Sequence, residues 1–179
     1  DQDVIQVYNS LLIASGLEQE YRDHPAFSTF LIHGFVFKIF SIFNNSLLID
    51  IENILNSEKI DEIFQNYFQI ARITNYFINF FLIISFYYLL KKIKIDQSLI
   101  IKILILLSLS QWYVLSFFYL RSENLSLLLF IIASILIISD QRIYINKFIS
   151  GIFLAFSMLA KIQIIFLFPI YIFLLMLFY

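Results

Sequence analysis

From residue 69 to residue 179 the chain is a succession of apolar runs broken only by short polar turns. No other feature restricts its folding so strongly. The runs cover 69–90, 98–119, 124–140, 147–161 and 164–179. About 20 apolar residues in helical form match the roughly 30 Å hydrocarbon core of a bilayer. Lipid offers the backbone no hydrogen-bond partner, so helices are the natural way for such runs to cross. Composition agrees: 61% of residues are hydrophobic and 14% charged, with a mean hydropathy of +0.86. A soluble domain averages about 45–50% apolar and about 25% charged. The expected fold class is therefore all-α, a polytopic integral membrane helix bundle of about five spans over 69–179. The sequence starts without Met and ends inside an apolar run. The bundle is accordingly read as incomplete at both ends.

Residues 1–68 differ in character. Ten of the thirteen acids lie before residue 63, and only Asp96, Glu123 and Asp140 follow. This stretch is expected to be an N-terminal extramembrane region of interfacial helices. A first helix is predicted over 3–15, with Gly16 as its stop. A charged loop follows, in which Pro25 biases His24 toward extended backbone. The apolar stretch 26–43 carries His33, Gly34 and Lys38 and is read as interfacial or re-entrant. His33 is read as a satisfied residue of an apolar helix. Residues 47–66 place Ile51, Ile54, Leu55, Ile60, Ile63 and Phe64 at helical spacing among acids, as amphipathic surface helices do.

Charge fixes an expected orientation. Lys91, Lys92, Lys94 and Lys102 cluster between the first two runs, and Arg142 and Lys147 between the third and fourth. Short cation-rich loops stay in the cytoplasm. Arg72, Arg121, Glu123, Lys161 and Gln163 then fall toward the outer side, together with Asp1, Asp3, Arg22, Asp23 and His24 if 26–43 does not cross. Charges at a membrane edge are costly, so their convergence on one face favours a functional site. Solvation of that face is the plainer account.

Three constellations carry candidate chemistry. Asp1 and Asp3 offer a carboxylate general base beside a membrane cleft; Asp3, with Gln6 three residues on, also fits a helix cap. Asp23-His24-Pro25 could bind a phosphate or an acceptor, ligate a metal through His24 with Asp23, or simply form a turn. Arg121-Ser122-Glu123-Asn124 keeps both an Arg and a Glu in a tight turn, where Arg121 could grip a phosphate. Alternatively, Glu123 answers a helix dipole there. Lys161 at a run's end could serve the same phosphate or snorkel. No cysteine is present, which excludes disulfides and thiolate chemistry. A net charge of −1 provides no field for nucleic acid. No nucleotide loop or zinc spacing appears. The sequence requires no cofactor and defines no metal ligands; a divalent cation stays open.

In order along the chain, these motifs resemble membrane glycosyltransferases of the GT-C superfamily, the type that includes protein O-mannosyltransferases and the aminoarabinose transferase of lipid A. The resemblance rests on Asp1-Gln2-Asp3, a short helix with Tyr8 ending at Gly16, and His24-Pro25 before an apolar helix. It continues with Ala71-Arg72 opening a span, Arg121 and Glu123 in an outer turn, and a Gly151-led span ending in Lys161 before Pro169. It implies inverting transfer of a sugar from a polyprenyl-phosphate donor to a glycan, lipid or protein acceptor. The site would face outward from a bacterial inner (plasma) membrane. Asp1 would be the base, with Asp3 its rival. Arg72, Arg121 and Lys161 would face the phosphate; Tyr8, His24 and Glu123 would help bind substrate. The family commonly shows Asp-Glu where this chain has Asp1-Gln2. A transporter or flippase for lipid-linked substrates, or a noncatalytic membrane protein, is the competing expectation.

Overall fold

The computed structural model describes residues 2–21, 26–44, 47, 49–139 and 143–178. Among them every regular element is helical and no strand occurs. The α-helices are α1 (Gln2–Ala14), α2 (Phe27–Phe43), α3 (Ile51–Leu55), α4 (Ile60–Lys92), α5 (Gln97–Leu109), α6 (Gln111–Leu115), α7 (Ser122–Ile137), α8 (Ile143–Ala160) and α9 (Phe168–Phe178). A 3-10 turn at Ile162–Leu167 joins α8 to α9.

Helix α1 stops where the sequence predicts. Gly16 takes φ +81°, the left-handed conformation that glycine adopts without a Cβ penalty. Leu17 N–H then bonds Leu12 C=O at 2.9 Å and Gly16 N–H bonds Ile13 C=O at 3.0 Å, the paired bonds of a Schellman stop. The loop turns back along α1 because the Asn9 side-chain oxygen accepts the N–H groups of Glu20 (3.0 Å) and Tyr21 (3.1 Å). Helix α2 then packs directly on α1. Gly34 makes this possible, since a Cβ there would lie 2.7 Å from the Ser10 carbonyl oxygen. His33 is buried in α2 and stacks on Phe37 at 6.3 Å. Contrary to expectation, neither of its ring nitrogens has a hydrogen-bond partner.

Helix α4 is long and apolar enough to cross a membrane. Its 33 residues extend about 50 Å, more than a hydrocarbon core requires. It runs unbroken through residue 68, so the end of the amphipathic stretch, from Ile60, and the first apolar run share one helix. The second apolar run, expected as one span over 98–119, is instead divided. Helix α5 ends at Leu109, Ser110 caps the short α6, and the backbone from 116 to 121 is not a regular helix. The break is stabilised by α4. Asn75 Nδ2 donates to the carbonyls of Ser116 (2.6 Å) and Tyr119 (3.2 Å), and Tyr113 OH donates to the Asn79 carbonyl at 3.0 Å. Asn124 Nδ2 donates to Asn79 Oδ1 at 2.7 Å. Irregular backbone in an apolar setting needs such partners.

Helices α7 and α8 pack through serines. Ser126 and Ser157 hydroxyls each donate to the other's carbonyl at 2.7 Å, and Ser150 donates to the Ala133 carbonyl at 2.7 Å. Small hydroxyl residues let two helices approach closely and bond across the contact. Ser28 attaches α2 to α8 through the Phe156 carbonyl at 2.8 Å. Helix α5 contrasts with this core: Ile100 is its one buried residue among those described.

Candidate functional site

A narrow cleft of about 30 Å³ opens where α1, the start of α2, the turn before α7 and the end of α8 meet. Its polar walls come from Gln2, Gln6, Tyr21, Arg121, Glu123 and Lys161, and Ala26 and Phe30 line its apolar side. Four segments far apart in sequence thus supply one site. Each is placed by local chemistry already described: the Schellman stop and Asn9 return Tyr21 to the start of α1, and the asparagine bonds hold the segment that leads into Arg121.

The electrostatic centre is an ion pair. Lys161 Nζ lies 3.0 Å from Glu123 Oε1, with side chains 15% and 32% exposed. Burial by itself raises the Glu123 carboxyl. Its own backbone N–H, the Lys161 ammonium and the Arg121 guanidinium outweigh that effect, and Glu123 lies below the usual carboxylate range. Arg121 is exposed, and its guanidinium stands 5.8 Å from the centroid of the Tyr119 ring. Gln6 Oε1 is buried with no hydrogen-bond partner, leaving a spare acceptor in the cleft lining.

Asp3 has a different post from either sequence expectation. It lies inside α1 rather than capping it, and it is absent from the cleft lining. It is buried, and its Oδ1 accepts the Leu120 N–H at 3.0 Å across 117 residues. The carboxylate fastens α1 to the turn that presents Arg121.

Of the residues expected to bind substrate, Arg121, Glu123 and Lys161 meet at the cleft. Tyr8 and Arg72 do not line it. Tyr8 OH donates to Glu20 Oε1 at 3.2 Å near the surface. Partial desolvation, then the Glu20 charge and hydrogen bond, push its phenol above the ordinary value. Arg72 is exposed on α4. Asp1 and His24 lie outside the described residues. Gln2, Gln6 and Tyr21 were missed by sequence reasoning. Gln6 carried a signal, since it follows Asp3 by three residues on the same helix. Tyr21 carried none, because its place depends on the loop's return along α1. The described residues hold no group of three or more His, Asp or Glu able to bind a metal ion. Comparison with family models, with curated proteins and with solved structures finds no match for this chain.

Proposed function

We propose that this chain is part of a polytopic membrane glycosyltransferase that moves a sugar from a polyprenyl-phosphate donor to an acceptor on the outer face of a plasma membrane. One observation carries the reading: four distant segments meet in a single cleft whose walls join two cations, a carboxylate and amide groups, directly beside the start of α1. The membrane setting is supported by large apolar side chains exposed on the surface, with polar ones buried beside the apolar core. Asn75, Asn79, Asn124, Ser126 and Ser157 are buried, whereas Phe35, Leu106, Leu109, Phe148, Phe166 and Met176 are each at least 66% exposed. A soluble surface rarely tolerates so many large apolar groups.

In the proposed reaction Asp1, which precedes Gln2 in the chain, takes the proton of the acceptor hydroxyl or amine. The freed lone pair attacks the anomeric carbon from the face opposite the phosphate. The carbon–oxygen bond to phosphate breaks, its electron pair leaves with the polyprenyl phosphate, and configuration inverts. Arg121 and Lys161 stabilise the charge that develops on the leaving phosphate. Glu123 holds Lys161 in place. Asp3 positions Arg121 through Leu120. The spans flank the lipid tail of the donor.

The test is sugar transfer from a labelled polyprenyl-phosphate donor by membranes containing wild-type or Asp1→Asn protein. Transfer should drop by about 10²–10⁴-fold, the usual contribution of a general base, with unchanged expression and thermal unfolding. Undiminished transfer refutes the role of Asp1. Absence of transfer by the wild type with every polyprenyl-phosphate sugar offered refutes the enzyme.

A further inference from the structure

A second cleft, of about 240 Å³, borders the Arg121–Glu123 turn. Its walls are Trp112, Leu115, Ser116, Tyr119, Arg121 and Glu123. Trp112 and Tyr119 are 44% and 49% exposed, and one face of the Tyr119 ring is taken by the Arg121 guanidinium. The Ser116 hydroxyl is not, because it donates to the Tyr113 carbonyl at 2.6 Å. The cleft therefore offers flat apolar faces together with one guanidinium and one carboxylate.

The charges select among occupants. Arg121 and Glu123 cancel in this wall, whereas Lys161 leaves the first cleft net positive, so a phosphate favours the first cleft over this one. A purely apolar chain would leave both charges desolvated and without polar contact. A neutral polyol fits both features. The C–H faces of a pyranose pack on aromatic rings, and its hydroxyls donate to a carboxylate and accept from a guanidinium. Arg121 stacks on Tyr119, which fixes ring and cation together. Glu123 and Arg121 line both clefts, so a molecule here would abut whatever occupies the first.

We propose that this second cleft is a saccharide subsite that holds a neutral glycan acceptor against Trp112 and Tyr119. The proposal rests on the transferase reading for the word acceptor, and it narrows the acceptor class to a glycan. The plain alternative is an interfacial aromatic belt facing lipid headgroups.

Trp112 is the sole tryptophan of this sequence, so its fluorescence reports on the cleft directly. The chain, reconstituted in phosphatidylcholine nanodiscs, is titrated with methyl glycosides of hexoses and N-acetylhexosamines and with their short oligomers. A saturable change in Trp112 emission is expected for at least one of these probes. Tyr119→Ala should weaken apparent affinity by on the order of tenfold. Tyr119→Phe, which keeps the ring, should leave it near wild type and so controls for folding. Glu123→Gln should also weaken it. No saturable response to any glycoside overturns the proposal, and quenching by brominated lipid in its place assigns Trp112 to the belt. Sugar transfer without a Trp112 response would remove the subsite and leave the enzyme; a response without transfer would do the reverse.

Discussion

Glu123 shows how one residue can serve charge, structure and site together. It lies in the first turn of α7, where the unpaired N–H groups of a helix start favour an acid, and it meets Lys161 just after α8. A surface ion pair contributes about 0–1 kcal/mol, whereas breaking a fully buried one costs about 3–5 kcal/mol. With side chains 15% and 32% exposed this pair lies between those limits, and Glu123→Gln should cost about 1–2 kcal/mol at neutral pH. The sign of its pH dependence follows from linkage. The folded carboxyl is held below its unfolded value of 4.5. The stabilisation is therefore complete above that value and is lost as pH falls through the folded pKa. Thermal unfolding of wild type and Glu123→Gln in detergent should differ at pH 7 and converge under acid. A gap that widened with acid would contradict the pairing. Asp3 teaches a related lesson. Its acidity was plain in the sequence, but its partner, Leu120 N–H, is 117 residues away, and no local pattern could reveal it.

At the scale of elements, close packing decides which pairs of helices form. Gly34→Ala tests the α1–α2 contact with opposing effects. Alanine favours a helix over glycine by up to about 1 kcal/mol. Yet its Cβ would meet the Ser10 carbonyl oxygen at 2.7 Å, and a backbone atom cannot rotate away. Overpacking of this kind costs about 1–3 kcal/mol, so net destabilisation is expected by denaturant or thermal unfolding. A more stable variant would show that the two helices separate readily. The α7–α8 contact yields a different expectation. Ser126→Ala and Ser157→Ala each remove one hydroxyl from a reciprocal pair. Their double-mutant cycle should give a coupling of about 0.6 kcal/mol if the pair lies in lipid. Strict additivity would mean that the two serines act independently. The helices themselves were legible from apolar periodicity. The break of the second run at Ser110 was not, because the asparagines that support it sit on another helix, at Asn75 and Asn79, and look like ordinary polar interruptions.

For the whole molecule the open question is orientation. The native sequence has no cysteine, so single introduced cysteines label cleanly. With a membrane-impermeant maleimide on intact cells, Gln19→Cys should label at once. Gln97→Cys, next to the lysine-rich turn, should label only after permeabilisation. The reverse pattern would overturn both the topology and an outward-facing cleft. The reasoning behind the expectation is the retention of short cationic loops in the cytoplasm, and Lys91, Lys92 and Lys94 provide that charge.

The sequence by itself determined that the chain is helical, where α1 stops, and that its charges lie at the ends of apolar runs. Those outcomes depend on neighbours within a few residues: hydrophobic spacing, a glycine able to take φ +81°, and lysines flanking a turn. Tertiary structure alone decided which charges meet. Lys161 joined Glu123, Asp3 went to the backbone of Leu120, and Arg72 and Tyr8 fell outside the cleft. The physical reason is range. A hydrogen bond or ion pair acts over about 3 Å, and only the packing of α1, α2, α7 and α8, set by Gly34 and the facing serines, brings such distant segments within that distance.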